Sequence, residues 1–432
     1  MKILLVNPPN AGISIPVEKF GLKETQKIFK GEPFALEVLA GNLENHETKI
    51  IDLKIPGESL EKEISTFSPD IVAFTSLTCE ANTVLNLSRE TKGIDKKIKI
   101  AVGGVHASSD PAFFNRDFID YLIIGLGKHT FRKLVDSLER NGYPEELAGV
   151  AGTNPQAGIS FIRREFDRTD LVEEKPPAYD LVTVYRKNYV IDSLGISMGY
   201  INTAYGCPNN CSFCCIGNIT GNRYIEHNIE CVIRDLTLLE DIPVIRLVDA
   251  NTFANPDRAK KLCNAIKSSN FKKRFIADAC ADSIVSDPGL FEQWQKAGLH
   301  AVIIGFEEIN NERLSGWRKK STLVIVQKAI EILHDLEISI VGDFIISPDY
   351  CENDFRKLET FVEKSAIELP VFSVLTPLPG TPLYKTMQND IIIHNLDYYT
   401  LGNAVTETAL PEKEFYTILT GLQDRFHRKA RL

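Results

Sequence analysis

Two hydrophobic patterns alternate along the first 140 residues. Short apolar runs at Ile3–Val6, Lys49–Leu53, Ile71–Thr75, Ile98–Val102 and Tyr121–Ile124 are too brief for helices and continuous enough for strands covered on both faces. Phe34–Leu43 spaces its apolar residues as a helix does. The alternation predicts an α/β fold with a doubly wound parallel sheet. Three of the strands run into small residues: Ser76 and Thr78, then Gly103-Gly104-Val105-His106, then Gly125-Leu126-Gly127. In such a sheet the carboxyl ends of the strands form the ligand crevice, and glycine there lets the backbone approach a ligand. Two readings stand: tight turns only, or the edge of a nucleotide-like site.

Residues 141–190 break the pattern with Pro144, Gly149, Gly152, Pro155, Gly158, Pro176 and Pro177, and read as a linker. The charged run Arg163–Glu174 inside it reads as solvated surface. Alternation resumes over 191–385. Strands are expected at Tyr200–Thr203, Ile242–Val248, Phe275–Cys280, Ala301–Gly305, Ile338–Ile346 and Pro370–Leu375, with helices at Asn228–Asp241, Asp257–Ser268 and Leu323–Leu336 between them. Six strand–helix units predict a partial barrel, whose chemistry would lie at the carboxyl ends of its strands. Asp249, Asp282 and Glu307 fall there, although each alone could be a cap or a surface charge. Residues 386–432 read as a tail with one helix near Glu412–Phe426; its Tyr398, Tyr399, Phe415 and Phe426 either pack that helix or line a cavity.

Charge and composition narrow the function. Lys plus Arg number 49 against 58 Asp plus Glu, a net charge of −9, which argues against a broad nucleic-acid footprint. The basic run Lys272-Lys273-Arg274 reads as a solvated helix end or loop. No run of about 18 apolar residues is present to span a membrane. Met1–Val6 passes directly into Asn7-Pro8-Pro9, unlike a signal peptide. A cytoplasmic location is expected.

The chemistry concentrates in Tyr205-Gly206-Cys207-Pro208-Asn209-Asn210-Cys211-Ser212-Phe213-Cys214. Three thiols spaced CxxxCxxC can hold three irons of a 4Fe–4S cluster and leave the fourth open. Disulfides are disfavoured by the odd count of nine cysteines. Zinc would want a fourth ligand, and no second CxxC or HxxxH follows. Spacing alone leaves zinc open beside the cluster. Cys79, Cys215, Cys231, Cys263, Cys280 and Cys351 are scattered and read as small buried hydrophobes.

The triad, with Phe213 before its last cysteine, resembles the signature of the radical S-adenosylmethionine superfamily. Ile304-Gly305-Phe306-Glu307 and Thr376-Pro377-Leu378-Pro379-Gly380-Thr381-Pro382-Leu383-Tyr384 resemble two later segments of that barrel. Asn7-Pro8-Pro9, Ser76-Leu77-Thr78, Gly103-Gly104-Val105-His106 and Gly125-Leu126-Gly127 resemble the Rossmann-like cobalamin-binding domain that precedes it in one subfamily, that of class B methyltransferases and anaerobic cyclases. Together the resemblances cover about nine-tenths of the chain. Departures are Leu126 and Lys128 where the family has acidic residues, Ala281 before Asp282 where it has arginine, and Glu308 where it has serine. No DxHxxG motif is present.

The resemblance implies a domain order of 1–140 cobalamin-binding, 141–190 linker, 191–385 partial (β/α)6 barrel and 386–432 helical segment. It implies that Cys207, Cys211 and Cys214 hold a 4Fe–4S cluster. Phe213, Asp249 and Glu307 would contact S-adenosylmethionine. Ser76, Thr78, Gly103, Gly104, His106, Gly125 and Gly127 would lie against cobalamin. The implied reaction is reductive cleavage of S-adenosylmethionine to a 5′-deoxyadenosyl radical and methylation of an unactivated carbon of a small molecule. The alternative is radical oxidation, cyclisation or dehydration of a tetrapyrrole, isoprenoid or sugar. A flavodoxin- or ferredoxin-type electron donor is implied as partner. The residue that performs the transfer itself is not indicated.

Overall fold

The computed structural model describes residues 1–9, 12–23, 31–166, 175–191 and 196–428. Its first sheet contains β1 (Lys2–Asn7), β2 (Glu47–Asp52), β3 (Ile71–Phe74), β4 (Lys99–Val102), β5 (Tyr121–Ile123) and β6 (Val150–Gly152), in the order β2-β1-β3-β4-β5-β6. β1 to β5 are parallel, and β6 closes the edge antiparallel to β5. The order reverses at β1, so the crevice expected of a doubly wound sheet lies beyond the carboxyl ends of its central strands. Ile71-Val72-Ala73-Phe74 is buried throughout because apolar layers cover both faces of the sheet.

The span 141–190 does more than connect. Besides β6 it carries a 3-10 segment, Tyr179–Asn188, whose Val182 and Tyr185 pack with Ile3, Leu5 and Leu36. Within Arg163–Glu174, residues 167–174 lie outside the described residues, and Phe166 is buried.

A short antiparallel pair, β7 (Val190–Ile191) and β8 (Ile196–Ser197), leads into β9 (Gly199–Ile201). A small hairpin of β10 (Ala204–Gly206) and β11 (Tyr224–Glu226) follows. The second sheet adds β12 (Val244–Leu247), β13 (Arg274–Ala279), β14 (Leu299–Glu307), β15 (Ser339–Ile346) and β16 (Leu369–Val374). Its order is β16-β15-β14-β13-β12-β9, all parallel, which makes a six-stranded partial barrel. The cysteine run therefore follows the hairpin strand β10, one short strand beyond the first barrel strand β9.

Strand alternation sorts the barrel into two surfaces. Ile245, Leu247, Phe275, Ala277, Ile304, Phe306, Ile340 and Phe344 point outward into the main core beneath the helices. Met198, Val244, Ile276, Ala301, Val341 and Leu369, near the amino ends, point inward and form an apolar layer. Farther along, the inward positions become polar: Arg246, Asp278, Asp343, Glu307.

Helix starts follow local chemistry. Asn255 accepts the Arg258 amide ahead of Pro256, and Thr322 accepts the Ile325 amide. Lys273 corrects the sequence reading. It is buried, and its Nζ donates to the carbonyls of Leu239, Glu240 and Ile242 at 2.7, 3.2 and 2.9 Å. The first is the C-cap of the helix Ile229–Leu238 and the other two lie just past it, where a cation complements the dipole. In the tail, Phe415 and Phe426 belong to the main core. Among the described residues no helix is long and apolar enough to cross a membrane.

Candidate active site

Gly206 sets the geometry of the cysteine loop. Its φ is 80°, and a Cβ there would lie 2.0 Å from the Arg223 carbonyl of β11's approach. The loop then runs between two braces. The Ser212 amide donates to the Trp317 carbonyl at 2.9 Å, and the Leu383 amide donates to the Ser212 carbonyl at 2.9 Å. Phe213 stands edge-on to Trp317 at 5.9 Å. Leu383 comes from the later segment Thr376–Tyr384 singled out beside the triad, and Trp317 follows the helix Asn311–Gly316.

Cys207, Cys211 and Cys214 are each half-buried. Burial, then the neighbouring Cys215, Cys211 and Cys207, push the Cys214 thiol up to about 12, against a favourable Ile216 amide. Burial also raises Cys211, partly offset by the Lys319 cation. A thiol so placed becomes a thiolate ligand when metal supplies the compensating charge. Among the described residues no three His, Cys, Asp or Glu side chains converge on a single ion. Three thiols spaced CxxxCxxC on one loop and within electrostatic range of one another suit a cluster, in which each binds a different iron. The donor set fits a 4Fe–4S cluster.

The other cysteines correct an expectation. Only Cys263 is fully buried, and Cys351 is exposed. Cys280 faces the loop, accepting from Asn209 Nδ2 at 3.6 Å and from Asn251 Nδ2 at 3.3 Å.

The three residues expected at S-adenosylmethionine take different places. Phe213 lies on the loop, with its ring held by Trp317. Glu307 ends β14 at φ 66°, a left-handed conformation uncommon outside glycine. Lys319 Nζ donates to its Oε1 at 2.8 Å. A Cβ on Gly305 would sit 2.2 Å from that oxygen, which explains the Gly-Phe-Glu spacing. Asp249 differs from expectation. Its buried carboxylate accepts from the Thr203 amide and hydroxyl (both 2.6 Å), the Ala204 amide (2.9 Å) and Asn202 Nδ2 (3.1 Å). Asp249 thus anchors the segment that enters the cysteine hairpin. Asn202 Oδ1 in turn meets His227 Nε2 at 3.0 Å, and the His227 ring lies 4.8 Å from Tyr205. Glu308 is also internal: it accepts from Tyr350 Oη at 2.6 Å and from the Ile309 amide at 2.7 Å. Asp282 sits in the first turn of the helix Ala281–Ser286.

A cavity of about 430 Å³ lies between the two sheets. On one side are Phe34, Leu36 and Leu39, the ends of β3, β4 and β5, and Gly103, Gly104, Gly125 and Gly127; on the other are Asn202, Tyr205 and Val248. Ser76, Thr78 and His106 are not part of this lining. Ser76 Oγ donates to the Leu77 carbonyl, and Thr78 is buried in a 3-10 turn. His106 is fully buried against Phe113 and Phe114, with both ring nitrogens unpartnered, and burial lowers its pKa to about 4. Gly104 also serves the turn, since a Cβ there would lie 2.7 Å from the Ser76 amide. Gly103 and Gly127 have ordinary room on the cavity side. An apolar slot edged by glycine fits the face of a large macrocycle such as a corrin. With His106 turned away, this histidine supplies no cobalt ligand.

Sequence reasoning missed Asn202, Thr203, Arg246, Asp278, Lys319 and Asp343. Inward strand positions would have marked Arg246, Asp278 and Asp343. Lys319, within Arg318-Lys319-Lys320, resembles a solvated run.

Comparison with known proteins matches these two halves separately. A family profile described as the B12 binding domain matches residues 29–135, and one described as the radical SAM superfamily matches residues 201–362. Hopanoid C-3 methylase of Methylococcus capsulatus is 28% identical over 419 residues, 94% of this chain and 79% of that protein. Bacteriochlorophyllide d C-8(2)-methyltransferase of Chlorobaculum tepidum is 25% identical over 75% of this chain and 69% of its own length. Among solved structures, the radical S-adenosylmethionine methyltransferase TsrM from Kitasatospora setae, with cobalamin and a [4Fe-4S] cluster bound, superposes with a TM-score of 0.77 at 16% identity, covering 100% of this chain and 92% of that one.

Proposed function

The chain belongs to the radical S-adenosylmethionine superfamily and carries a B12-binding domain ahead of the barrel; from this premise we propose that it is a cobalamin-dependent C-methyltransferase acting on a small molecule. One observation carries the reading: the cysteine loop and the glycine-edged ends of the first sheet flank the same inter-sheet region, with the Asp249-anchored segment Asn202–Tyr205 touching the cavity and leading directly into the loop. The relatives named above are methyltransferases by description, which agrees with it.

Cys207, Cys211 and Cys214 would hold the cluster, and Gly103, Gly104, Gly125 and Gly127 would lie along the corrin. When bound, these groups supply the electron that cleaves S-adenosylmethionine and a methyl for transfer. The chain's own part is position and exclusion of water. Gly206 and the braces at Trp317 and Leu383 fix the loop. Asp249 and its four donors fix the path from β9 to that loop. The Glu307–Lys319 pair presents a neutral polar edge at the barrel mouth. The apolar lining of the cavity keeps water from the region where a reactive carbon would stand. A flavodoxin- or ferredoxin-type protein in the cytoplasm, where thiols stay reduced, supplies the electron.

The test is anaerobic reconstitution with iron, sulfide and cobalamin. Wild type should bind corrin and, with a strong reductant and S-adenosylmethionine, form 5′-deoxyadenosine or a methylated product. Cys211→Ala should abolish both products. Unchanged turnover in Cys211→Ala would sink the assignment.

A further inference from the structure

Among the described residues one carboxyl of the barrel lumen is paired by neither of its cations and by no neutral donor. Outward-facing neighbours on β12, β13 and β15 oblige Arg246, Asp278 and Asp343 to face inward. Arg246 Nη2 pairs with Asp278 Oδ2, and Lys319 Nζ pairs with Glu307 Oε1 at 2.8 Å. Each pair is neutral by itself. Asp249, near Asp278, is satisfied by its own four donors. Asp343 is left over. Among the described residues its carboxyl has no hydrogen-bonding or ionic partner, and it keeps part of its surface open to the lumen. In register with Asp343, β14 carries Gly305 and β16 carries the partly buried Val371, so the wall beside it does not itself call for a charge.

We propose that Asp343 is the counter-ion of an organic cation held in the lumen. That cation is either a protonated amine on the substrate or a cationic centre of S-adenosylmethionine. The inference rests on the radical S-adenosylmethionine reading and specifies the ligand chemistry of the same site. An unpaired carboxyl walled off from bulk water is costly when ionised, and a neutral ligand does nothing to relieve it. A cation beside it restores the carboxylate and balances Arg246 and Lys319 against Asp278, Glu307 and Asp343. Burial, then Glu307 and Asp278, push the empty-lumen carboxyl up to about 8, while Arg246 and Lys319 oppose this from a distance. Pairing with a cation at neutral pH therefore releases a proton.

The experiment is calorimetric titration of the anaerobic, reconstituted enzyme at pH 7 in two buffers of different ionisation heat. The probes are S-adenosylmethionine, n-hexylamine and, as a neutral control, n-hexanol. At least one cationic probe should bind wild type about tenfold or more tightly than Asp343→Asn, with more protons released per ligand by wild type than by the variant. Asp343→Glu, which keeps the charge, should recover part of that preference. Loss confined to S-adenosylmethionine assigns the cosubstrate, and loss confined to hexylamine assigns a substrate amine. Equal binding of both cations to wild type and Asp343→Asn, with equal proton release, overturns the proposal. Reductive cleavage of S-adenosylmethionine by wild type is followed separately; its absence counts against the parent function and leaves the binding comparison readable.

Discussion

The two sheets present opposite chemistry at the same end of their strands. The first offers mostly glycines and apolar side chains, with Lys128, His129 and Arg164 also in the lining, and its polar candidates Ser76, Thr78 and His106 turn into the protein. The barrel offers thiols, two ion pairs and an unpaired carboxyl. A parallel sheet delivers chain ends to one edge whatever ligand it serves. The residues placed on that edge decide whether it receives a broad apolar face or a small charged molecule. The contrast also implies that the two edges can be damaged independently.

The largest effect is expected at Gly206. In Gly206→Val a side chain would collide with the Arg223 carbonyl, so the loop cannot close as it stands. Reconstituted protein should lose most of its iron yet still bind cobalamin, as read by iron content and corrin absorption. Gly127→Leu should do the reverse. Its side chain would fill the glycine edge of the cavity, lowering cobalamin affinity about tenfold or more while iron content is retained. If either substitution removes both cofactors, the two edges are one cooperative unit and the comparison fails.

Lys273→Met should spare both edges and cost stability. Three carbonyls at the end of Ile229–Leu238 would lose a donor, worth about 1–3 kcal/mol in denaturant unfolding. A further test concerns pH. The folded Asp343 carboxyl titrates at about 8 and an unfolded aspartate at about 3.9. Between these values the folded state holds a proton that the unfolded chain releases, so this group's contribution to stability is lost as pH rises through that window. Thermal unfolding without ligands should show Asp343→Asn gaining on wild type from pH 5 to pH 8. A constant difference would mean that Asp343 is not buried as described.

Both sheets were readable in the sequence because runs such as Ile71–Phe74 and Ala301–Ile304 are continuous and apolar, and the loop was readable because three thiols lie within eight residues. The misreadings and the omissions share a cause. Lys273 and Lys319 look solvated in a row of cations, and nothing local reveals that one meets a helix end and the other a strand-end glutamate. Asp249 was located correctly at a strand end, but its partners Thr203 and Ala204 are more than forty residues away. β6 was hidden among glycines and prolines because a three-residue edge strand carries no periodic signal. His106 follows two glycines, as a ligand contact would, yet its ring turns into an aromatic pocket that only the folded helix Val105–Ser109 defines.

The braces on the cysteine loop impose an order on biosynthesis. Cys214 leaves the ribosome long before Trp317 and Leu383, and without them the Ser212 backbone lacks both of its distant partners. A nascent chain therefore exposes three thiols before it can shape them. Productive iron delivery belongs after synthesis of the barrel, and any earlier encounter with metal or oxidant meets an unshaped trio. Overexpression yields should accordingly depend on keeping those thiols reduced while the last third of the chain is made.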